Sequence, residues 1–296
     1  MGESMIVMVD AGNSAIKHRL VAAPAVLSAG GRVNDRSWQM GPILRTCNAD
    51  ASVASLVRTW REQSEKLGWA SPSVIGMSWS SVGPAAIREM IAAAYREFAG
   101  TEAPPSWTSK PRVTLFGGLH RYDSAYREAA QLGTDRWVCG AGLAALGVMA
   151  VGEVHMVVSA GTATTIDLLL QQEKTHTVFQ GGWILPGIRL MQESLRAGTR
   201  QLDYSLPQEI SDASQVPRDS QSAIEQGLGL AQTALMGQLI ERYRVSAIWL
   251  HGGDTQRWLA YANAFAGAAR LPPISVRQDL AFLGLLALWG SDSGRP

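Results

Sequence analysis

Two short turns of small residues hold the groups best suited to chemistry in this sequence. The first spans Asp10–Ser14 after the apolar run 6–9, and the second spans Gly161–Thr165 after the apolar run 156–158. Turns of this kind direct backbone N–H groups into a common space and form cradles for an anion such as phosphate. Two cradles, one in each half of the chain, predict two similar lobes that face each other across a nucleotide cleft. The predicted chemistry is phosphoryl transfer.

Asp10 ends the first apolar strand, where a buried carboxylate costs free energy unless it is paired or holds a metal. Because Mg²⁺ takes carboxylate and phosphate oxygens together, Asp10 is a candidate magnesium ligand. An ordinary hairpin turn capped by Asp10 is the alternative. After the second turn, Thr165 and Asp167 face the same side of a strand, and an ordinary threonine-rich hairpin is equally compatible with this pattern.

A third segment places an acid beside an arginine. Asp135 and Arg136 follow a Gly-Thr turn and open a helix. Asp135 could serve as a general base next to an Arg136 guanidinium that binds an anion. Capping of the helix N-terminus by Asp135 is the alternative.

Two glycine-rich segments complete the candidate pocket residues. Paired glycines and a later Pro-Gly let Gly181–Ile188 line a pocket, and an ordinary tight loop is the alternative. His251–Asp254 follows an apolar strand. Neither segment is specific by itself. The histidines lack metal-ligand spacing, and the sequence has neither a nucleophile elbow nor a Walker-type phosphate loop.

Alternating strand and helix patterns position these segments. Strands are predicted at 5–10, 15–21, 73–80, 113–116 and 246–250 and from Val154 onward, helices at 53–67, 84–98, 135–148, 220–243 and 279–289, and a loop at 208–219. A similar order of strands and helices occurs twice, which predicts an α/β duplication. We therefore expect an N-terminal lobe at 1–149 with the first turn and Asp135. The expected C-terminal lobe at 150–296 holds the second turn and the last helix.

Composition narrows the class of protein. The chain has 296 residues, 46% of them hydrophobic, and a formal net charge of +1, which fits two globular domains and offers no basic surface for nucleic acid. Two cysteines give no disulfide framework and fit a reducing compartment. The N-terminal residues lack a signal-peptide pattern, and the apolar stretch 280–289 is too short to span a bilayer. We expect a cytoplasmic enzyme.

Taken in order, the motifs resemble those of type III pantothenate kinases, a family that includes the Bvg accessory factors. The matching patterns are Asp-x-Gly-Asn-[Ser/Thr]-x-x-Lys at 10–17, Gly-x-Asp-Arg at 133–136, Gly-Thr-Ala-Thr-Thr-x-Asp at 161–167, Gly-Gly-x-Ile-x-Pro-Gly at 181–187 and Gly-Gly-Asp at 252–254. The resemblance runs from Met5 to Trp289 and is specific because the motifs occur in combination.

The resemblance implies an α/β fold of two ribonuclease-H-like lobes, as in the superfamily of acetate and sugar kinases, heat-shock chaperones and actin, with ATP between the two phosphate turns and its adenosine on the C-terminal side. It implies that pantothenate is phosphorylated on its primary hydroxyl to 4'-phosphopantothenate, the first step of coenzyme A biosynthesis. It further implies Mg²⁺, a monovalent cation (K⁺ or NH₄⁺) and a homodimer whose partner subunit completes the pantothenate pocket. Nucleic acid and membrane are not expected partners.

The resemblance also assigns roles residue by residue. Asp135 is the expected general base, and Asp10 is the expected ligand of Mg²⁺. The expected ATP-binding residues are Asp10, Ala11, Gly12, Asn13, Ser14, Lys17, Gly161, Thr162, Ala163, Thr164, Gly252 and Gly253. The expected pantothenate-binding residues are Tyr126, Gly133, Thr134, Asp135, Arg136 and Thr199. The Arg136 guanidinium suits the carboxylate of pantothenate.

Three positions depart from the family pattern: Ser159, Ala129 and Ser220 stand where Asp, Pro and Thr are usual. The missing carboxylate at position 159 predicts a weaker dependence on the metal or the monovalent cation. Two other functions stay open, a regulatory nucleotide-binding protein without catalysis and a kinase or phosphatase that acts on another substrate. Retention of Asp10 and Asp135 argues against the first, and the Gly-x-Asp-Arg match favours pantothenate over the second.

Overall fold

Twelve strands and seven α-helices form the part of the chain that the computed structural model describes, which comprises residues 4–23, 39–69, 73–116, 118–199, 202, 204–205, 215–265 and 271–289. The strands are β1 Ser4–Ala11, β2 Ala15–Ala23, β3 Gln39–Met40, β4 Leu44–Cys47, β5 Ser73–Ser81, β6 Arg112–Leu115, β7 His120–Ser124, β8 Val154–Ala160, β9 Ala163–Glu173, β10 His176–Pro186, β11 Val245–His251 and β12 Ile274–Val276. The helices are α1 Val53–Lys66, α2 Ala85–Ala99, α3 Thr134–Leu146, α4 Ile188–Gly198, α5 Ser220–Tyr243, α6 Thr255–Phe265 and α7 Leu280–Trp289. Short 3-10 turns occupy Asn48–Asp50 and Ala129–Gln131.

The chain divides into two compact units. The first comprises Met1–Val148, Glu173–Phe179 and Asp279–Pro296, and the second comprises Met149–Gln172 and Gln180–Gln278. The last helix, α7, therefore packs in the first unit although it comes last in the sequence. Among the described helices, none combines the length and apolar character needed to cross a membrane.

The first unit is built on a sheet of order β3-β2-β1-β5, with β4 paired to β2. β1 and β2 form the predicted antiparallel hairpin, in which Asp10 lies opposite Lys17, while β1 and β5 run parallel. β6 and β7 pair antiparallel in the same unit, and His176–Phe179 at the start of β10 pair in parallel with β7. The predicted hairpin is confirmed.

Helices cover both faces of this first sheet, and β1 is accordingly buried along nearly its whole length. Met5, Val7 and Val9 pack with Trp60 of α1 and Tyr95 of α2 in one core. Helices α3 and α7 cover the other face. A side chain at Gly142 of α3 would overlap the carbonyl oxygen of Leu280, and one at Gly284 of α7 would overlap that of Val138. These glycines let α3 and α7 approach closely, as the alanine- and glycine-rich sequence of α3 predicts.

The second unit repeats the arrangement of the first. β8 and β9 form an antiparallel hairpin, and β8 and β11 run parallel. β12 pairs in parallel with the other edge of β11. Met156, Val158 and Ile166 pack with Trp258 and Tyr261 of α6 in the core of this unit. A hairpin whose first strand also has a parallel neighbour thus occurs in both units, which is the repeated topology that the duplication predicts.

The alternative of an ordinary tight loop at 181–188 is wrong for most of that segment. Residues 181–186 form the second half of β10, which ends at Pro186, and Gly187 directly precedes α4. The glycines belong to a strand because β10 passes very close to β9, where a side chain at Gly182 would overlap the carbonyl oxygen of Ile166. The sequence pattern also missed β3, β4, β7, α4, α6 and β12. Of the predicted loop at 208–219, residues 208–214 lie outside the described residues.

A neutral histidine is built into the first core. His18 on β2 is buried, and its Nδ1 accepts a hydrogen bond from Trp60 Nε1 at 3.1 Å. Its Nε2 lies 3.3 Å from Thr46 Oγ1. Burial lowers the pKa of His18 to about 4. The ring is therefore uncharged at neutral pH.

Acidification is expected to destabilise the protein through His18. An unfolded histidine has a pKa of about 6.5, so its stabilising effect is complete above that pH and is lost as the pH falls toward 4. Between pH 7 and pH 5 the loss is about 2 kcal/mol. Urea unfolding at both pH values measures this drop in the free energy of unfolding. The drop should be smaller in His18→Gln and unchanged in Arg58→Gln, an exposed control on α1. The same loss in His18→Gln would contradict this assignment.

Candidate active site

Asp10 is a buried, paired carboxylate at the end of β1, with 9% of its surface exposed. Lys17 Nζ lies 3.6 Å from Asp10 Oδ2, and Ser80 Oγ donates to Oδ1 at 3.3 Å. The turn that follows is closed by its own backbone, since Gly12 N–H donates to the Ala15 carbonyl at 3.0 Å. The Asp10 carboxylate is therefore held by β2 and β5 rather than used to close the turn.

A residue that the sequence analysis missed holds this first turn. Asn48 Nδ2 donates to the carbonyl oxygens of Gly12 at 3.1 Å and Asn13 at 2.8 Å. The backbone N–H of Asn48 donates to the carbonyl of Ser14 at 3.1 Å. Asn13 and Ser14 are exposed. The register of β4 on β2, which pairs Ala15 with Cys47, could have pointed to Asn48 only if β4 had been predicted.

Asp135 lies in the first turn of α3, directly after Thr134. The N-cap residue is Gly133, so the alternative in which Asp135 is the cap does not hold. Burial, with the nearby negative charge of Asp10, raises the pKa of Asp135, although the backbone N–H groups of Arg136 and Asp135 act in the opposite direction. The structure thus brings two predicted site carboxylates into electrostatic contact within the first unit. A carboxyl with a raised pKa suits a general base.

Arg136 and Tyr126 meet in the first unit, as both predicted roles require. Arg136 is buried, with 6% of its surface exposed, and its Nη1 donates to Tyr126 Oη at 2.9 Å. Its guanidinium lies over the rings of Tyr126 at 5.8 Å and Phe179 at 5.9 Å. Upstream of α3, Ser109 Oγ donates to the carbonyl of Leu132 at 2.8 Å and fixes the entry to the helix. Aromatic faces and a phenol thus orient a planar cation that can bind a carboxylate.

The second turn belongs to the second unit and is also held at its carbonyl oxygens. Gly161 N–H donates to the Ala163 carbonyl at 3.2 Å within the turn. The N–H groups of Gly187 and Asp254 donate to the carbonyls of Thr162 at 2.9 Å and Ala160 at 3.0 Å. The two other glycine-rich motifs thereby converge on this turn.

Two glycines permit that convergence. A side chain at Gly187 would overlap the carbonyl oxygens of Gly161 and Thr162. Gly252 has a φ of 110°, and a side chain there would overlap the backbone of Ala160. Near the turn, Thr165 Oγ1 donates to Asp167 Oδ2 at 3.4 Å, as expected for side chains on one face of β9.

Two further sequence positions lie in the second unit. Thr199 ends α4, is exposed, and its hydroxyl donates to the carbonyl of Leu195 at 2.8 Å. Its role in pantothenate binding stays a prediction. Ser159 lies in β8 opposite Thr165 of β9 and His251 of β11. The position that usually carries a carboxylate is therefore next to the second turn.

Among the described residues, no group of three or more histidine, cysteine or acidic side chains could hold a metal ion. Asp10 instead presents one carboxylate beside the first turn. That donor set fits Mg²⁺, which commonly keeps one or two protein carboxylates and takes its remaining ligands from water and phosphate.

A mixed α/β fold with a glycine turn in each of two units and a half-buried acid at a helix N-terminus is typical of a class of phosphotransferases. A family model for type III pantothenate kinase matches residues 6–242. The type III pantothenate kinase of Aromatoleum aromaticum is 30% identical over 80% of each chain, and that of Cupriavidus taiwanensis is 29% identical over 97% of this chain and 98% of its own. The chain belongs to the type III pantothenate kinase family, which confirms the resemblance. A solved structure of a Baf family protein from Campylobacter jejuni has a TM-score of 0.50, 17% identity and 94% coverage of each chain, which supports the fold.

A side chain at position 187 is expected to damage the second turn. Gly187→Ala pushes Cβ into the carbonyls of Gly161 and Thr162, so we expect a loss of about 1–3 kcal/mol of stability, as for other overpacked sites. Gly227→Ala in α5 is the control, because its new Cβ meets nothing within 4 Å and alanine favours a helix. Denaturant unfolding measures both. Equal stability of the two variants would show that the turn tolerates movement of α4.

Proposed function

We propose that this chain phosphorylates pantothenate with ATP and that Asp135 is the general base. Membership of the type III pantothenate kinase family gives the reaction, which yields 4'-phosphopantothenate and begins coenzyme A biosynthesis. The observation that supports the assignment of Asp135 is its raised pKa, caused by burial and by Asp10. When bound, Mg²⁺-ATP supplies the phosphoryl group.

Asp135 accepts the proton of the attacking hydroxyl. Because its pKa is raised, the carboxylate binds a proton more readily than an exposed aspartate does. The N–H groups at the start of α3 hold the carboxylate in place and limit that rise. Phosphoryl transfer depends mainly on positioning and charge stabilisation, so one positioned base is sufficient.

Arg136 and Tyr126 bind the carboxylate of pantothenate. The Tyr126 hydroxyl and the aromatic faces hold the guanidinium, which can then present its remaining N–H groups in a fixed plane. A charge-assisted pair of this type also sets the orientation of the substrate. Gly133 and Thr134 directly precede Asp135 and Arg136 in the sequence and belong to the same proposed pantothenate site.

Asp10 holds Mg²⁺ on the phosphates, and Lys17 keeps a positive charge beside it. The first turn, Ala11 to Ser14, and the second turn, Gly161 to Thr164, donate backbone N–H groups and hydroxyls to the phosphates. Gly252 and Gly253 bind the nucleotide at the end of β11. Each of these roles is supported by the family motifs and by the position of the residues within their own unit.

Four further properties are proposals from the family resemblance. They are a homodimer whose partner subunit completes the pantothenate pocket with Thr199, a requirement for K⁺ or NH₄⁺, a weaker cation dependence caused by Ser159, and a cytoplasmic location. The regulatory alternative, a nucleotide-binding protein without catalysis, is favoured by Ser159 alone.

ADP release by the purified chain with Mg²⁺-ATP tests the reaction, in the presence and absence of pantothenate and of K⁺ or NH₄⁺. Release that depends on pantothenate is the expected result. Tight ATP binding without turnover would support the regulatory alternative, and turnover with another alcohol only would identify a different acceptor.

Asp135→Asn is expected to lower kcat by about 10²-fold or more because the base is lost. Binding of ATP and pantothenate should change little, since the side chain keeps its size. In the unaltered chain, kcat should fall with decreasing pH through a pKa above the ordinary aspartate value, because the base must be ionised. Steady-state assays over a range of pH measure kcat, and equilibrium binding measures the affinities for ATP and pantothenate. Loss of pantothenate binding in Asp135→Asn would make Asp135 a ligand contact instead.

Arg136→Lys is expected to raise the KM for pantothenate by about tenfold, because an ammonium cannot form the planar fork. The KM for ATP should stay nearly constant. Tyr126→Phe, which removes only the hydroxyl that Arg136 contacts, should have a smaller effect in the same direction. Steady-state kinetics over both substrates measures the split. A larger change in the KM for ATP would move Arg136 to the nucleotide.

A further inference from the structure

We propose that Asn48 is a positioning residue that presents the first turn to the phosphates of ATP. The choice of ATP as the ligand rests on the proposed function, whereas the hydrogen bonds between Asn48 and the turn do not depend on it. Asn48 lies directly after β4, in a segment that has no part in the family motifs described above. The three hydrogen bonds that Asn48 donates all end on consecutive carbonyl oxygens of the turn, those of Gly12, Asn13 and Ser14.

The carbonyl contacts determine where the N–H groups point. In a trans peptide, the carbonyl and the following N–H lie in one plane and point in opposite directions from the C–N bond. The carbonyls of Gly12 and Asn13 are directed at Asn48 Nδ2. The N–H groups of Asn13 and Ser14 are therefore directed away from Asn48, on the same side of the turn. Two adjacent N–H groups with a common direction form an anion site.

The first turn receives hydrogen bonds from outside the hairpin, and its backbone differs from that of the tightest hairpin turns. Two-residue hairpin loops favour turns with positive φ at one or both central residues, which matches the twist of the strands. None of Gly12, Asn13 and Ser14 has a positive φ. Asn48 supplies three hydrogen bonds to this turn from a segment outside the hairpin.

In the second turn, backbone groups and not a side chain donate hydrogen bonds to the carbonyl oxygens. There the backbone N–H groups of Gly187 and Asp254 donate to the carbonyl of Thr162 in the turn and to that of Ala160 directly before it, so these donors do not belong to side chains. In the first turn, two of the three bonds come from the Asn48 side chain. Asn48 can therefore be tested by substitution without changing the chain path of β4.

The test compares Asn48→Ala with the matched control Asp50→Ala, which truncates an exposed side chain in the same 3-10 turn. Affinities for Mg²⁺-ATP and for adenosine are measured by competition with a fluorescent nucleotide. Amide exchange of Asn13 and Ser14 is measured on the protein without nucleotide. Asn48→Asp, which keeps the shape and removes the donor, is the second variant.

Asn48→Ala is expected to weaken ATP binding by about tenfold, the effect of one to two lost hydrogen bonds on the phosphate site, and to leave adenosine binding unchanged. The KM for ATP should rise in the same proportion and the KM for pantothenate should not. Exchange at Asn13 and Ser14 should accelerate. Asp50→Ala should match the unaltered chain in all three measurements.

An equal loss of ATP and adenosine affinity, or unchanged affinity and exchange, would overturn the role of Asn48. If that happens while the unaltered chain still releases ADP with pantothenate, the proposed function stands without it. If Asn48→Ala selectively weakens ATP binding in a chain that does not phosphorylate pantothenate, the positioning role stands and the proposed acceptor is wrong. Absence of ATP binding by the unaltered chain would overturn both.

Discussion

The binding of turn carbonyls by donors from neighbouring segments is the constraint on which the rest of this structure depends. A phosphate turn works only when its N–H groups share a direction, and a peptide plane fixes each N–H opposite the preceding carbonyl. Asn48 supplies the donors in the first unit, and the backbone of Gly187 and Asp254 supplies them in the second. β4 beside β2, and β10 and β11 in the second sheet, bring these donors into place.

Electrostatics imposes the second constraint, within the first unit. A buried carboxylate is costly unless it is paired, and Lys17 and Ser80 provide partners for Asp10. The charge of Asp10 and burial together raise the pKa of Asp135, while the start of α3 stabilises its ionised form. The net result is a carboxyl that accepts a proton more readily than an exposed aspartate does. Such perturbed groups concentrate at functional sites.

Local sequence patterns were sufficient for the hairpins and for most long helices. Helix α5 begins and ends where the pattern predicts, because Asp219 caps its start and Ser222 N–H binds the Asp219 carboxylate at 2.9 Å. Prediction failed for β10, where paired glycines resemble a loop and only close packing on β9 makes them a strand. Of the site, Asp10, Asp135 and the glycine turns could be found from motif and spacing. Asn48 could not, since β4 is four residues long and carries no periodic signal.

The sequence by itself determined the two turns, the family and the residue types proposed for the chemistry, because these depend on local backbone preferences and on side-chain chemistry. The tertiary structure alone decided which donors hold the turns and how Arg136 meets Tyr126, ten positions away in the chain. It also decided that α7 packs against α3 in the first unit, through glycines that allow close contact. These outcomes depend on shape and distance between segments that are far apart in the chain, and residue spacing does not encode such distances.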